Sequence, residues 1–365
     1  MRQLELLGNR VKLVLKDNVL AVLSDANLSA VSSAIYNGGF KKVKAILNVQ
    51  VPEGYSDRRL HENPQSLIMD SAKKLGLAES LVGMVTAAAV EKFSLVSKKD
   101  GDLAVSVIAT AADPAGNTCN HAESAGETIE VEETEGTINI IVVIDGNPTE
   151  SCLVGTMITA TEAKMAALRE LDIRSRYSGD EATGTVTDAV VAAETNRGAP
   201  IVYGGPASEL GQLVGCCTRK AVKEAVMKAN ECMPGRSVTD RLRERHLSTE
   251  KLASELSKVK SLNADEKTIA ATLTKALRED PLFAAVLFAA AKINEDFEKG
   301  LIPPQLGEID VLGKNFGELL FRQKGKSMKA SNGDDNSVDL PPFLKHVLIS
   351  MTKNALSKGK TEKLK

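Results

Sequence analysis

The pattern of apolar residues changes at the stretch MPGRS, residues 233–237, and this change constrains the fold more than any other feature of the sequence. Before it, short runs of Val, Ile and Leu alternate with Gly, Asn and Asp, which is typical of strands joined by turns. After it, nearly all apolar residues recur at helical spacing. Proline and glycine mark the boundary. We therefore predict a domain over residues 1–233 and an all-α domain over residues 238–360.

Hairpins dominate the predicted first domain. The runs VKLVL and VLAVLS flank KDN and predict one hairpin, followed by a polar turn through DANLSAVSSAIYNGG and a strand at VKAILNVQV. VGMVTAAAVEKFSLVS and DLAVSVIATA predict a second hairpin around KKDGD. TINIIVVID predicts a strand buried on both faces, and TDAVVAAE is too β-rich for a helix. Helices are predicted for NPQSLIMDSAKKLGL and at two later apolar repeats. Together these elements favour an α+β layered sandwich, with parallel βαβ winding as the alternative.

Composition narrows the possible partners. The formal charge of −2 provides no basic field for nucleic acid or an anionic membrane. Charges interrupt the N-terminal segment, and no apolar run approaches the roughly 18 residues of a membrane helix. The five cysteines include no CxxC pair, so we expect them to be reduced. At least one of Cys216 and Cys217 is expected in the core. These features predict a cytoplasmic protein that binds neither nucleic acid nor membrane.

Metal and nucleotide chemistry find no support in the sequence. The four histidines, His61, His121, His246 and His346, form no HxxxH or HxH pattern. The sequence also lacks a GxxxxGKT phosphate loop. We therefore predict no catalytic metal and no cofactor of the protein's own.

Polar residues at the ends of predicted strands, all uncharged except one aspartate, are the remaining candidates for chemistry. They are Asn48, Thr86, Asn120, Asn139 and the cluster Thr183, Thr185 and Thr187 with Asp188. Each alone could satisfy backbone groups at a turn. Together they supply the donors and hydroxyls that hold an amide and stabilise an oxyanion, where losing one donor can cost about 3 kcal/mol. Glu162, on a predicted helix, is either a surface charge or a general base. The set points toward amide hydrolysis or acyl transfer.

The motifs of residues 8 to about 230 resemble the adenosylcobinamide amidohydrolase family. In order, they are LSAVSSAIYNGGF, ILNVQV, VGMVTAAAV, GNTCNHAESAGE, GTINIIVVID, TATEAKMAAL, ATGTVTDAVV and GGPASELGQLVGCCTRKAVKEAV. The resemblance implies hydrolysis of the amide that joins aminopropanol to a propionate arm of the corrin, yielding adenosylcobyric acid for cobamide synthesis. It also implies a cobalt-containing corrinoid as substrate and partner. This large, flat, amide-fringed ligand suits a groove lined by Asn, Thr, Ser and backbone groups.

The resemblance also assigns expected roles to residues. Thr183 or Thr185 is expected to act as the nucleophile or to position water, with Asp188 orienting the turn and Asn139 or Asn120 holding the oxyanion. Substrate contacts are expected from Ser32, Ser33, Asn48, Thr86, Asn120, Glu162 and Gly205.

Two alternatives for the first domain remain open. One is a corrinoid-binding or handling protein without turnover. The other follows from a likeness in layout to the self-cleaving aminopeptidases and ornithine acetyltransferases, in which GTINIIVVID, a helix and ATGTVTDAVV follow one another. In those families a Ser or Thr becomes the nucleophile at a new chain end, so cleavage here would split the chain near residue 183.

The C-terminal domain resembles the phosphatidylglycerophosphatase A type, which in corrinoid-salvaging cells also serves as an α-ribazole phosphatase. The likeness runs through ALREDPLFAAVLFAAAKINEDFEKGLIP, VLGKNFGELLF and LPPFLKHVLISMTKNALSKG. That fold holds a divalent metal with carboxylates, whereas VLGKNFGELL offers only Glu318 and PPFLKHV has Lys and His instead of acids. We predict a degenerate domain kept for packing, regulation or formation of a homo-oligomer, with an active phosphatase as the alternative.

One helix of this domain is predicted in detail. Asp280 followed by Pro281 predicts an N-cap and first helical residue. The apolar residues that follow on one face of the helix are Leu282, Val286, Ala289, Ile293 and Phe297.

Overall fold

The protein divides into two compact units, residues 1–235 and 236–365. The computed structural model describes residues 2–8, 10–52, 63–77, 80–112, 136–185, 187–229, 236–302, 308–322 and 337–362. Among these residues, strands occur only in the first unit, whereas the second unit is helical. No helix in the described part of the chain is long and apolar enough to cross a bilayer.

The first unit combines strands with three α-helices among its described residues. The strands are β1 Arg2–Leu6, β2 Val11–Lys16, β3 Val19–Ser32, β4 Gly39–Gln50, β5 Leu81–Thr86, β6 Ser94–Asp100, β7 Leu103–Ala111, β8 Ile138–Asp145, β9 Asn147–Pro148, β10 Ala189–Glu194 and β11 Pro200–Ile201. The helices are α1 Pro64–Lys74, α2 Glu150–Glu170 and α3 Glu209–Ala229.

Nine of these strands form one sheet in the order β1-β2-β3-β10-β8-β7-β6, with β4 paired to β3 and β5 paired to β4. β8 and β10 run parallel and are connected through α2, and β4 and β5 are also parallel. β3 joins the two parts of the sheet, because its first half pairs with β2 and its second half with β10. The short strands β9 and β11 form a separate parallel pair.

Most predicted elements of this unit are confirmed, with two corrections. The β2–β3 hairpin turns at Asp17 and Asn18, both with positive φ, as a tight hairpin turn requires. The polar turn predicted after it is wrong: β3 continues to Ser32, with a register irregularity against β4 between Leu23 and Leu28. Its second half stays extended because β10 pairs along it. The second hairpin consists of β6 and β7 alone, since VGMVT forms β5 beside β4.

The central strand β8 shows how the core is built. Seven of its eight residues are buried, as predicted for TINIIVVID. Because side chains alternate along a strand, Ile140 and Val142 pack with the apolar faces of α2 and α3, whereas Ile141 and Val143 pack with side chains of β3, β4 and β5. On the far side of β4, Ile68 of α1 joins a further apolar cluster. Each such side chain contributes about 1.5–3 kcal/mol when buried.

The described helices of the second unit are α4 Val238–Arg243, α5 Thr249–Ser257, α6 Glu266–Glu279, α7 Pro281–Glu298, α8 Ile309–Arg322 and α9 Pro342–Glu362. They enclose their own apolar core.

Helix α7 begins as predicted but buries a different face. Asp280 caps it, accepting the backbone N–H groups of Leu282 and Phe283 at 3.1 Å each. Leu282 and Phe297 of the predicted apolar face are 59% and 42% exposed. The buried face instead consists of Phe283, Ala284, Leu287, Ala290, Ala291 and Asn294.

Candidate active site

The starts of β8 and β10 bring several predicted site residues together. The two strands are parallel, with Asn139 beside Ala189, and Thr110 near the end of β7 lies opposite Asn139 on its other side. The threonine-rich turn leads directly into β10 and therefore lies at this same edge of the sheet. The candidate site residues therefore lie where β7 ends and where β8 and β10 begin.

Asp188 is the centre of the cluster. Its Oδ1 accepts the backbone N–H of Ile138 at 2.9 Å and also the hydroxyl of Thr185. Its Oδ2 accepts the backbone N–H of Thr185 at 3.1 Å and pairs with the ammonium of Lys164. The side chain of Asp188 is only 12% exposed, so four donors replace most of the water that a carboxylate would otherwise bind. This carboxylate closes the turn and fixes the direction of the Thr185 hydroxyl.

Lys164 is a member of the cluster that sequence reasoning missed. It lies on α2, four residues from both Ala160 and Leu168, which are fully buried, and is itself only 6% exposed. A β-carbon on Gly184 would stand 2.6 Å from Lys164 Nζ and closer still to Asp188 Oδ2, so glycine is needed for the pair to sit against the backbone. The sequence feature that indicates this residue is a charged lysine at a position where the helical repeat of α2 otherwise places apolar residues.

A buried amide network borders the Asp188 cluster. Asn139 donates from Nδ2 to Asn48 Oδ1 at 2.8 Å and to the carbonyl of Val85 at 2.9 Å. Its Oδ1 accepts the backbone N–H of Ala189 at 3.2 Å, and Asn48 donates to the hydroxyl of Thr110 at 2.8 Å. Asn48, Asn139 and Thr110 are each 1% exposed. Both amide hydrogens of Asn139 are thus engaged, and an oxyanion would have to displace one of these bonds.

The four threonines of this edge occupy different environments. Thr185 is buried and bonded to Asp188, whereas Thr183 is half-buried and its hydroxyl has no hydrogen-bond partner among the described residues. Thr187 is exposed and donates to the carbonyl of Gly136 at 3.1 Å. Its oxygen lies 2.7 Å from that of Thr137, a further residue that sequence reasoning did not single out. Of the predicted threonines, Thr185 is therefore the one tied to the Asp188 carboxylate.

Predicted substrate-contacting hydroxyls lie on neighbouring segments. Ser33 pairs with Val190, two residues after Asp188: its backbone N–H donates to the Val190 carbonyl and its Oγ accepts the Val190 N–H, both at 3.0 Å. Ser32 and Thr86 are buried, and each accepts a backbone N–H from two residues further on, at 2.8 and 3.0 Å. All three oxygens accept in these bonds, which leaves their hydroxyl hydrogens for other partners.

Glu162 and Gly205 stand apart from this cluster. Glu162 is exposed on α2, two residues before the buried lysine. Gly205 precedes α3, and its carbonyl accepts the backbone N–H and the hydroxyl of Ser208 at 2.9 and 2.8 Å. No contact found within the described ranges links either residue to Asp188. Asn120 lies outside the described residues.

The cysteines are divided between core and surface. Cys217 is buried, as predicted for at least one of the pair, and Cys216 is exposed. Burial raises the pKa of the Cys217 thiol to about 11, and burial also raises the pKa of Cys152. Both groups are therefore protonated, weakly nucleophilic thiols at neutral pH.

Comparison with known proteins identifies relatives of the first unit. The sequence model of the family described as adenosylcobinamide amidohydrolase matches residues 6–234. An adenosylcobinamide amidohydrolase of Methanosarcina mazei is 31% identical over 225 residues, which cover 59% of this chain and 92% of that protein. An uncharacterized protein of Methanocaldococcus jannaschii is 27% identical over 208 residues, covering 53% of this chain and 80% of the relative.

Two solved structures show a weak likeness to this chain. A β-aminopeptidase of a Burkholderia species is 11% identical, with a TM-score of 0.30, and the match covers 60% of this chain and 82% of that one. The L-aminopeptidase D-Ala-esterase/amidase of Ochrobactrum anthropi is 11% identical, with a TM-score of 0.26 and coverage of 60% and 78%. TM-scores this low carry no argument about fold or activity.

Proposed function

The chain belongs to the adenosylcobinamide amidohydrolase family and is an amidohydrolase, and we propose that it hydrolyses the aminopropanol amide of adenosylcobinamide. The products are aminopropanol and adenosylcobyric acid, which returns to cobamide synthesis. The reaction consumes water and needs neither ATP nor a catalytic metal of the protein's own. We place it in the cytoplasm, in line with the reduced state expected for the cysteines.

The observation that carries this proposal is the hydroxyl of Thr185, held against the Asp188 carboxylate at the start of β10. Asp188 accepts its hydrogen, so the lone pairs of the Thr185 oxygen remain available for a substrate carbonyl or a water molecule. A hydroxyl paired with an acceptor in this way is the arrangement of nucleophilic and water-positioning groups in amide hydrolysis. We therefore favour Thr185 over Thr183 for this role, with Asp188 orienting it.

The neighbouring amides supply the proposed oxyanion contacts. Asn139 lies one residue after Ile138, whose N–H binds Asp188, so its side chain belongs to the same edge of the sheet. It can serve the oxyanion by exchanging its bond to Asn48 or to Val85 for one to the substrate. Asn120 keeps its expected role as the other donor.

The proposed substrate contacts follow the same edge. Ser33, beside the start of β10, and the hydroxyls of Ser32 and Thr86 are proposed to meet the amide fringe of the corrinoid. Glu162 and Gly205 are proposed to contact parts of the ligand further from the reacting amide. For the fold we infer the layered sandwich, supported by the apolar cluster shared between β8 and the strands β3 to β5 and by the helices packed on the other face of β8.

Incubation of the purified full chain with adenosylcobinamide, without ATP, tests the proposal. Mass spectrometry should show aminopropanol and adenosylcobyric acid. Thr185→Val removes the proposed nucleophilic or water-positioning hydroxyl and should lower turnover by at least about 10²–10³-fold, the loss that follows removal of a single oxyanion donor. Thr187→Val is the matched control, because Thr187 lies on the same turn but its hydroxyl binds a backbone carbonyl instead of Asp188.

Other outcomes would favour the alternatives. Corrinoid that co-elutes with the wild-type protein but yields no product would refute hydrolysis and favour a binding protein. Two fragments on a denaturing gel, split near residue 183, would favour the self-processing reading. Equal turnover in wild type and Thr185→Val would remove Thr185 from the mechanism.

A further inference from the structure

Lys164 is an unusual residue for the middle of an apolar helix face. Three of its four neighbours one turn away on α2, Ala160, Ala167 and Leu168, are fully buried, and the fourth, Thr161, is exposed. Burying an ammonium group is costly unless an opposite charge and hydrogen bonds compensate for the lost water. The position therefore needs a reason beyond packing.

The compensating partner is the carboxylate of the proposed active site. The side chains of Lys164 and Asp188 are 8% and 12% exposed, and Lys164 Nζ forms an ion pair with Asp188 Oδ2. Gly184 lies against this pair and leaves no room for a side chain. Lys164 thus reaches from α2 to the turn that carries Thr185.

We propose that Lys164 is a positioning residue for the amide hydrolysis, an inference that rests on the proposed function. Lys164 and the backbone N–H of Thr185 together occupy Oδ2 of Asp188, so the Thr185 hydroxyl is directed to Oδ1, where the N–H of Ile138 also binds. With both oxygens held, the carboxylate cannot rotate and exchange them. Thr185 keeps one orientation, and its oxygen faces the substrate at the start of β10.

A purely structural role would not require this charge. Apolar residues of similar volume often replace a buried ion pair without loss of stability. Ala160, Ala167 and Leu168 on α2 would accommodate such a residue at position 164, provided that Asp188 is replaced together with Lys164. Retaining the charged pair therefore indicates a need for a fixed carboxylate.

Steady-state kinetics of Lys164→Met with adenosylcobinamide tests this role. Methionine keeps the length and packing of the side chain and removes only the ammonium. We expect kcat to fall by about 10²-fold, the effect of a small misplacement of a reacting group, while KM stays within about twofold because substrate binding is not touched. Lys223→Met is the matched control: it also removes a lysine–carboxylate pair, with Glu170, but lies far along α3 with its side chain 42% exposed.

The turnover of Lys164→Ala with and without methylammonium provides a second test, because a purely structural role of Lys164 predicts no difference between the two. The truncation leaves space for methylammonium, which should raise the turnover of Lys164→Ala about tenfold or more and leave that of Asp188→Asn unchanged. Circular dichroism confirms that each variant is folded.

The results separate this inference from the proposed function. No turnover by the wild-type protein overturns the proposed function. A wild type that turns over, together with a Lys164→Met variant whose kcat stays within about threefold of it, overturns only the role of Lys164. A folded Lys164→Ala variant that methylammonium leaves inactive also overturns that role.

Discussion

Replacing Asp188 by asparagine should destabilise the first unit by about 3–5 kcal/mol, the usual cost of removing one partner of a buried ion pair. The upper part of this range is expected because the Asp188 and Lys164 side chains are only 12% and 8% exposed, so water cannot take the place of the lost carboxylate. Asparagine also presents an NH₂ group to two of the four donors that the carboxylate accepts, from Ile138, Thr185 and Lys164.

Urea denaturation of the full chain, combined with pulse-labelling hydrogen exchange, measures the loss of stability in the first unit separately from the second unit. Peptides from β8 and β10 report on the first unit alone, and their amides should be open about 200- to 5,000-fold more often in Asp188→Asn than in wild type, which is the factor that corresponds to about 3–5 kcal/mol. Adding Lys164→Met to Asp188→Asn removes the unpaired ammonium and should recover a large part of the loss.

The control is Glu170→Gln. Glu170 pairs with Arg219 and Lys223, whose side chains are 56% and 42% exposed, so its removal should cost less than about 1 kcal/mol. A cost below about 1 kcal/mol for Asp188→Asn, or a double variant no more stable than the single one, would refute the view that Asp188 and Lys164 form a tightly coupled buried pair.

Three further changes have defined outcomes. Asn139→Ala leaves the buried Asn48 carbonyl oxygen without its donor and should lower the free energy of unfolding by about 2–3 kcal/mol in denaturant titrations. Gly184→Ala should displace Lys164 and abolish most turnover with little loss of corrinoid binding by equilibrium dialysis, because the new β-carbon would overlap the ion pair. Burial raises the pKa of Glu194 above its ordinary 4.5, so the folded state binds this proton more tightly than the unfolded state. The protonated side chain therefore favours the folded state at low pH, and this stabilisation is lost as the pH rises above 4.5 through the raised pKa of the folded state. Glu194→Gln should remove that loss, and a stability difference from wild type that stays constant between acidic and neutral pH would contradict the assignment.

Local sequence patterns were sufficient for most secondary structure. The apolar run of β8 predicted a strand buried on both faces, and Asp280 with Pro281 predicted the start of α7. These features depend on residues close together in the chain, where alternation and capping act directly. The face of α7 that is buried was not predictable in the same way, because all sides of this helix carry apolar residues and the neighbouring helices decide which side is covered.

Several members of the candidate site were also visible in the sequence. Asn139, Thr185 and Asp188 stood out as polar residues at strand ends, and the same motifs carried the resemblance to the family that the comparison then showed. Lys164 left a trace too, as the charged residue within the apolar series of α2.

Only the tertiary structure decided which of these residues meet. Asn48 and Asn139 are 91 positions apart in the chain and Lys164 and Asp188 are 24 apart, and no local pattern specifies such pairs. They come together because β3 continues past its predicted turn and joins β4 to β10, and because α2 connects two parallel strands and lies across the turn before β10. Local sequence patterns thus determined most of the strands and helices and most of the polar residues available to the site. Strand pairing over long chain separations determined which of these residues come together.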